Sequence, residues 1–442
     1  MTSIQSVLAA FAIILIDLLG RAGLDKVLAL AGGPAMVALW AQLQSVVELV
    51  GAVTMAGVLQ GLTVLITQVS ESRDERSLLR DALKLGLGTS LAVALMVAMA
   101  APELTVWLTQ GKIETDLFLL AALAGCITVI PATLNAYWLG KHQQQRMLGL
   151  ALLTSVILLL VAASAWLGLF LRGLMWVQSL ALAIIGIVIW RYLNKLSGHK
   201  LPGRKLSGAR DGQEDGAEYF RKLVKFVPVG LAIGIMSPVS MLLVRGMLSG
   251  TLSWSEVGFL QALWRSTEWV TATAAGVLSL IFLPRFSATF FSSYGFSSRG
   301  GSARFKKEMM RAGVMVLIPA ACLLLLIFFN QRAMLATLYD ARFVVSDETA
   351  ALIMLGSWIR IAAWLFLFGL FAAHRTGLIM AGEILSLPLY AVLMWLFADG
   401  MTLERTALLY LVSYLVYLGF NAIALLYSSR NTTTAQCEAG YE

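Results

Sequence analysis

Charged side chains are scarce in this chain. Only 13% of its 442 residues are Asp, Glu, Lys or Arg, whereas a soluble domain carries about 25%. Hydrophobic residues make up 59% of the chain, and the mean hydropathy is +0.81. So few charges cannot cover a surface that faces water, so the composition excludes a soluble protein and predicts an integral membrane protein.

Cysteine and histidine are also rare, with three residues of each. Cys126 and Cys322 lie in apolar segments and Cys437 in the C-terminal tail, which argues against a disulfide framework. None of the histidines has Cys, Asp or Glu at metal-ligand spacing. A Walker A loop and a G-x-S-x-G elbow are missing too. We therefore expect no metal, no cofactor and no enzymatic activity.

Alternating strands of about ten residues, the pattern of an outer-membrane barrel, are absent as well. Long apolar runs fill the chain instead, and in lipid such runs must satisfy their backbone as helices. With a length of about 20 residues as the template, the sequence predicts about twelve transmembrane helices and an all-α fold. They cover roughly 5–24, 36–67, 82–101, 116–139, 147–170, 173–193, 220–245, 254–285, 312–330, 344–371, 377–398 and 402–428.

The positive charge of the chain is concentrated on one side of these predicted helices. With an even number of spans, 23 of the 33 Lys and Arg residues fall in the loops on the side that holds both termini. The positive-inside rule therefore places both termini in the cytoplasm. The same distribution explains the net charge of +8 without a nucleic-acid partner.

A long hydrophilic break divides the chain near its middle. Residues 194–219 are rich in glycine and charge and are predicted as a cytoplasmic linker. It separates an N-terminal six-helix lobe, 1–193, from a C-terminal six-helix lobe, 220–428, and 429–442 form a cytoplasmic tail. The lobes share weak similarity, since SVVELVGAVTMAGVLQGL from Ser45 matches RSTEWVTATAAGVLSLIF from Arg265. Paired halves of this kind are a recognised transporter plan.

Ionisable residues inside the spans are the strongest functional signal. In the eighth span, Gln261, Arg265 and Glu268 are spaced at i, i+4 and i+7, so they share one face of the predicted helix. Charges at such depth are costly and nearly always face a bundle interior or a wet cavity. We therefore expect this stripe to face inward.

Other spans carry similar groups. The first holds Asp17 and Arg21 one turn apart, the second holds Gln44 and Glu48, and the tenth holds Arg360 between two tryptophans. A structural ion pair is the alternative interpretation for each of them. For four residues nearer the span ends we favour a snorkelling side chain, which costs little there: Asp25, Lys26, Arg245 and Glu383.

The motifs SWSEVGFLQALW from Ser253, FLPRFS from Phe282 and GGPAMVALWAQLQSVVELVGAVTMAGVLQGLTVLITQ from Gly32 resemble the Wzx-type polysaccharide flippases of the MOP exporter superfamily, which include the lipid III and O-antigen flippases. The resemblance spans nearly the whole chain through span number, central linker and motif order. Two departures are a longer linker after Asn194 and an extra tail beyond Arg430.

The resemblance implies two six-helix lobes around a central cavity. It further implies alternating access that moves an undecaprenyl-pyrophosphate-linked oligosaccharide from the cytoplasmic to the periplasmic leaflet of the bacterial inner membrane. The glycan would serve O-antigen, common antigen or exopolysaccharide assembly. A polysaccharide polymerase and a chain-length regulator are the further candidate partners. The positions that match cavity cations are Arg21, Arg265 and Arg360, and a guanidinium suits a pyrophosphate.

The predicted substrate-binding set is completed by Gln44 and Gln261, which share stripes with the charged residues. Glu268 is the first candidate for ion coupling, because moving its Arg265 partner would change how readily it binds a proton. Glu48 and Asp17 are the candidates in the other lobe. Tryptophans near these positions would stack on sugars or serve only as packing: Trp264, Trp269, Trp358 and Trp364.

Two other functions fit parts of the pattern. A MATE-type cation-coupled drug exporter would share the twelve-helix halves but should have an acidic cavity, whereas the anions and cations here roughly balance. A membrane glycan polymerase would be expected to carry a large extracytoplasmic loop, and the longest outer loops here are short. The balance of charge and the loop lengths favour the flippase.

Overall fold

In the computed structural model the chain is described over residues 3–54, 58–68, 72–141, 143–198, 216–292, 299–373 and 375–439. Every regular element in these ranges is a helix, as the sequence predicts. The three histidines and residues 199–215 of the predicted linker lie outside them.

Sixteen α-helices and one short π-helical segment follow one another along the described ranges. They are α1 (Ser3–Thr54), α2 (Val58–Gln68), α3 (Ser72–Thr109), α4 (Thr115–Ile127), α5 (Val129–Gly140), α6 (Gln144–Trp166), α7 (Leu171–Gly198), α8 (Gly216–Thr251), α9 (Trp254–Val277), the π segment (Leu278–Phe282), α10 (Leu283–Ser292), α11 (Arg299–Phe329), α12 (Gln331–Leu338), α13 (Asp347–Ala372), α14 (Thr376–Ile384), α15 (Leu387–Leu396) and α16 (Leu403–Ala439).

Ten stretches of the described residues are long and apolar enough to cross a membrane. This confirms the predicted all-helical, multi-pass membrane fold, while the count of twelve crossings stays a prediction. The apolar side chains that line these helices include many that are exposed in the protein itself, such as Leu91, Met99 and Leu326. In a bilayer these side chains face lipid, where exposure costs nothing.

The first two predicted spans are joined without the loop expected between residues 24 and 36. Helix α1 instead continues to a single sharp break at Gly33, whose φ is 70° and ψ −165°. Glycine tolerates a positive φ because it has no Cβ, and Pro34 that follows has no N–H to donate. The chain therefore reverses at one dipeptide.

Two further spans are interrupted inside the apolar region. The π segment separates α9 from α10 within the predicted span 254–285, and a π turn commonly marks a functional site in a helix. The span Thr376–Leu396 breaks between α14 and α15 at Ser386, whose φ of −94° and ψ of −115° are not helical. Hydropathy alone gives no sign of either interruption.

The chain divides into two compact units. Unit 1 comprises Met1–Ala31 and Leu39–Leu242, and unit 2 comprises Gly32–Ala38 and Leu243–Glu442. Unit 1 contains a core in which α2 packs on α5 and α3 through Leu62, Ile66 and Leu78. Unit 2 contains a larger core that runs from α9 through the π segment to α11, α13 and α16.

Residues 32–38 pack within unit 2 although the rest of α1 belongs to unit 1. A Cβ on Gly258 would stand 2.0 Å from the carbonyl oxygen of Pro34, so only glycine fits at that contact. The guanidinium of Arg342 lies over Gly33 and donates to Asp340 at 2.6 Å. This hydrogen bond lowers the pKa of the Asp340 carboxyl.

Candidate functional site

In unit 1 the predicted charges of α1 form one cluster. Arg21 donates from Nε to Asp17 Oδ2 at 2.9 Å, and its NH1 lies 3.6 Å from Glu48 Oε1. Glu48 follows the Gly33 break and the other two residues precede it. The reversal at Gly33 therefore brings together two stripes that the sequence could only treat separately.

Next to this cluster, two glutamine side chains form a reciprocal pair. Gln44 Nε2 donates to Gln178 Oε1 at 2.8 Å, and Gln178 Nε2 donates to Gln44 Oε1 at 3.2 Å. Gln178 lies on α7 with 7% exposure and was missed by the sequence analysis, although it interrupts an apolar run. Asp25, expected to snorkel, is buried as well.

Replacing Gln178 by Leu is expected to lower the free energy of unfolding by about 1–3 kcal/mol, because the Gln44 amide loses a buried partner. The double variant Gln44→Leu with Gln178→Leu should recover most of this loss, since both polar groups are then removed. Denaturant unfolding in detergent micelles measures both. A double variant as unstable as the single one would show that the two amides do not act as a pair.

In unit 2 the three residues of the predicted α9 stripe do not form a single cluster. Arg265 NH1 donates to Glu268 Oε2 at 2.6 Å. Gln261 instead accepts from Arg245 Nε at 3.1 Å. Arg245 is only 5% exposed, so the expectation of a snorkelling end residue is wrong. Its aliphatic stem and head group are both enclosed because α8 carries it toward α9.

Arg360 of α13 is held by aromatic rings. Its guanidinium carbon lies 4.6 Å from the centroid of the Trp364 ring and 5.6 Å from that of Tyr414. The charge also interacts with Tyr410 and, through space, with Glu268. Ring faces attract a cation without pairing it with an anion, so the two ring contacts hold the Arg360 guanidinium in place without forming an ion pair.

The rings near Arg360 belong to a larger aromatic group in unit 2. Tyr410 and Tyr414 of α16 have centroids 4.8 Å apart, and Trp264 of α9 lies 6.3 Å from both Tyr390 and Tyr410. Sequence analysis missed the tyrosines, although Tyr410, Tyr414 and Tyr417 recur at i, i+4 and i+7 and so share one face of a helix. Trp358 donates its indole N–H to Leu317 O at 3.0 Å, which fixes it in the packing of α11.

Glu383 of α14 also has a partner within the protein. Its carboxylate accepts a hydrogen bond from Tyr417 at 2.8 Å, and its predicted place near the membrane interface stays a prediction. Among the described residues there is no group of three or more His, Cys, Asp or Glu that could hold a metal ion.

The chain matches no family model and no curated protein. Solved structures do match over nearly the full length. An inward-facing multidrug resistance MATE family transporter of the MOP superfamily superposes with a TM-score of 0.69 at 10% identity, covering 97% of this chain and 99% of that one. The lipid II flippase MurJ superposes with a TM-score of 0.64 at 11% identity, covering 97% and 90%.

The chain has the fold of MOP-superfamily transporters. A third match is a MOP superfamily transporter from Pyrococcus furiosus, described by the reverse polarity of its binding pocket, with a TM-score of 0.63, 10% identity and coverage of 98% and 96%. The MOP fold is thus shared by proteins named as drug transporters and as a lipid flippase. At these identities the fold is established and the substrate has to be argued from side chains.

Proposed function

We propose that this chain is a flippase that moves a lipid-linked oligosaccharide bearing a pyrophosphate across the membrane. The expected substrate is an undecaprenyl-pyrophosphate-linked glycan on its way to a surface polysaccharide, and the expected location is the bacterial inner membrane. The MOP fold supports membrane transport in general. The anionic substrate is argued from unit 2.

The observation that carries the proposal is the contact of the Arg360 guanidinium with two aromatic rings. The guanidinium of Arg360 lies against Trp364 and Tyr414, and a guanidinium that uses its flat face for cation–π contact can still donate hydrogen bonds from its edge. That edge suits the paired oxygens of a pyrophosphate. Aromatic faces beside it suit sugar rings, which present apolar C–H surfaces.

The charge balance of unit 2 supports the same substrate. The polar and ring contacts of the site in unit 2 include three arginines, Arg245, Arg265 and Arg360, against two carboxylates, Glu268 and Glu383. One positive charge is therefore in excess. An unbalanced charge inside a membrane protein is costly. An anionic head group supplies the missing counter-charge when it binds.

A MATE-type exporter of organic cations is the second candidate, and unit 1 favours it. Two carboxylates, Asp17 and Glu48, flank the single guanidinium of Arg21, so that cluster is acidic. Solved MATE structures share the fold. Unit 1 therefore favours a cationic substrate, whereas unit 2 favours an anionic one.

Transport in proteoliposomes separates the candidates. A fluorescent undecaprenyl-pyrophosphate glycan on one leaflet should become accessible to a membrane-impermeant quencher on the other, and excess unlabelled lipid pyrophosphate should compete. A lipophilic fluorescent cation should neither accumulate nor compete. Cation uptake without glycan flipping would overturn the proposal in favour of drug export.

A further inference from the structure

The interrupted span of unit 2 brings four polar side chains together at a helix break. Glu383 is the next-to-last residue of α14, and the chain leaves helical geometry at Ser386 before α15 begins. Ser386 Oγ donates back to the Glu383 carbonyl at 2.6 Å. Facing this break, α16 contributes Tyr417, whose hydroxyl donates to the Glu383 carboxylate, and Asn421, one turn further on.

Asn421 is the most deeply buried residue of this group, at 0% exposure. Its side-chain amide lies within hydrogen-bonding reach of the Tyr417 hydroxyl. Its Oδ1 would stand 2.8 Å from a Cβ on Gly382, so the amide lies against the backbone beside Glu383. The Asn421 amide, the Tyr417 hydroxyl and the Glu383 carboxylate therefore form one connected polar group at the break.

The helix break favours a positive ligand. The C-terminal end of a helix carries partial negative charge on its last carbonyls, and α14 ends at this point. Interrupted membrane helices use such ends and their unwound carbonyls to hold cations. The carboxylate of Glu383 adds a full negative charge.

We propose that the break between α14 and α15 is a proton-binding site, in which the Glu383 carboxyl takes up and releases a proton beside Tyr417 and Asn421. On uptake a carboxylate oxygen forms an O–H bond with a proton from water, and on release that bond breaks. The neutral carboxyl is both donor and acceptor, whereas the ionised one only accepts. Tyr417 donates to the ionised carboxylate, and Asn421 lies against the Tyr417 hydroxyl.

A proton fits this group better than a metal ion. The break offers one carboxylate, one phenol and one amide, and the described residues contain no larger cluster of metal-ligating side chains. Two carboxylates predicted from the sequence for ion coupling, Glu48 and Glu268, are less suited. Their side chains are 51% and 43% exposed, and each faces an arginine.

Binding of a proton to Glu383 would change the electrostatic environment of the charged and titratable groups around it. The elements packed against α14 are α13, α15 and α16. Their titratable or charged groups toward this region are Arg360 on α13, Tyr390 on α15, and Tyr414 and Tyr417 on α16. Glu383 interacts through space with Arg360. When Glu383 takes up a proton it becomes neutral, and the Arg360 guanidinium loses the attraction of a nearby negative charge. This consequence rests on the proposed function, but the proton site does not.

Infrared difference spectroscopy of the purified protein in vesicles tests the site with protons as the only ligand. Spectra recorded between pH 5 and pH 8 should show a protonated-carboxyl band that Glu383→Gln removes. Glu348→Gln, an exposed position at the start of α13, is the matched control and should leave the band intact. An unchanged band in Glu383→Gln would overturn the proposal.

Two more measurements keep the test decisive if Glu383→Gln does not fold. Tyr417→Phe and Asn421→Leu retain the carboxyl but remove its neighbours, so the band should persist at a shifted frequency. A band unaffected by both variants contradicts the site. Addition of sodium chloride against choline chloride at constant pH should give no such difference spectrum. The same spectrum produced by sodium would identify a sodium site instead and overturn the proton.

Discussion

Replacing Arg360 by Gln is expected to reduce flipping of a lipid-pyrophosphate glycan by at least about 30-fold. Hydrogen bonds to charged groups contribute about 1.5–3 kcal/mol each, and 1.4 kcal/mol corresponds to about tenfold. Arg360→Lys should recover only part of the rate, because an ammonium lacks the planar fork and stacks poorly on Trp364. The measurement is the initial rate of fluorescent lipid exposure in proteoliposomes, at matched protein content.

The control for this experiment is Arg332→Gln. Arg332 also belongs to unit 2, but its side chain is 79% exposed, so the change removes an equal charge from a solvated position. It should leave the rate within about twofold, as exposed ion pairs contribute little. A parental rate in Arg360→Gln would remove Arg360 from the site, and an equal loss in both variants would indicate a nonspecific effect of charge.

The class of fold was predictable because the bilayer dictates it. Each crossing needs a long apolar helix, so runs such as 147–170 and 344–371 correspond to α6 and α13 within a few residues. The interruptions were not predictable. Gly33, the π segment and Ser386 all lie in or beside apolar sequence, where hydropathy is insensitive to backbone conformation.

The candidate site was predictable only as a set of residue types at depth. Helical spacing correctly placed Arg265 beside Glu268 and Arg21 beside Asp17, because those pairs lie one turn apart on a single helix. Partners on other helices were missed. Gln178, Arg245 and Tyr414 contribute through tertiary contacts, and nothing in a single sequence fixes which helices pack together.

The three predicted arginines have different contacts, because those contacts depend on which helices pack together. Arg21 and Arg265 both meet carboxylates, so binding an external anion would have to compete with an existing ion pair. Arg360 contacts rings, and the carboxylates of Glu268 and Glu383 act on it only through space. The family resemblance matched all three to cavity cations, and helical spacing could not show these differences between them. Because the guanidinium contacts rings and forms no ion pair with the described residues, our proposed function takes Arg360 as its first anion-binding candidate.

Exchanging Arg265 and Glu268 should separate structure from recognition in the α9 pair. Arg265→Ala is expected to lower the free energy of unfolding by about 1 kcal/mol, because Glu268 is partly solvated and the pair is screened. The double variant Arg265→Glu with Glu268→Arg keeps an ion pair at the same spacing, so it should restore most of that stability. Unfolding in detergent micelles measures both effects.

Transport should not recover in the exchanged variant if Arg265 contacts the head group. The exchange moves the guanidinium by three residues, which is almost one helical turn or about 4.5 Å along the axis, too far to keep a two-point hydrogen bond to a pyrophosphate. We therefore expect glycan flipping in the exchanged protein to stay at least about tenfold below the parent while its stability is normal. Recovery of both stability and transport would show that Arg265 and Glu268 form a structural pair, leaving Arg360 as the anion-binding arginine of unit 2.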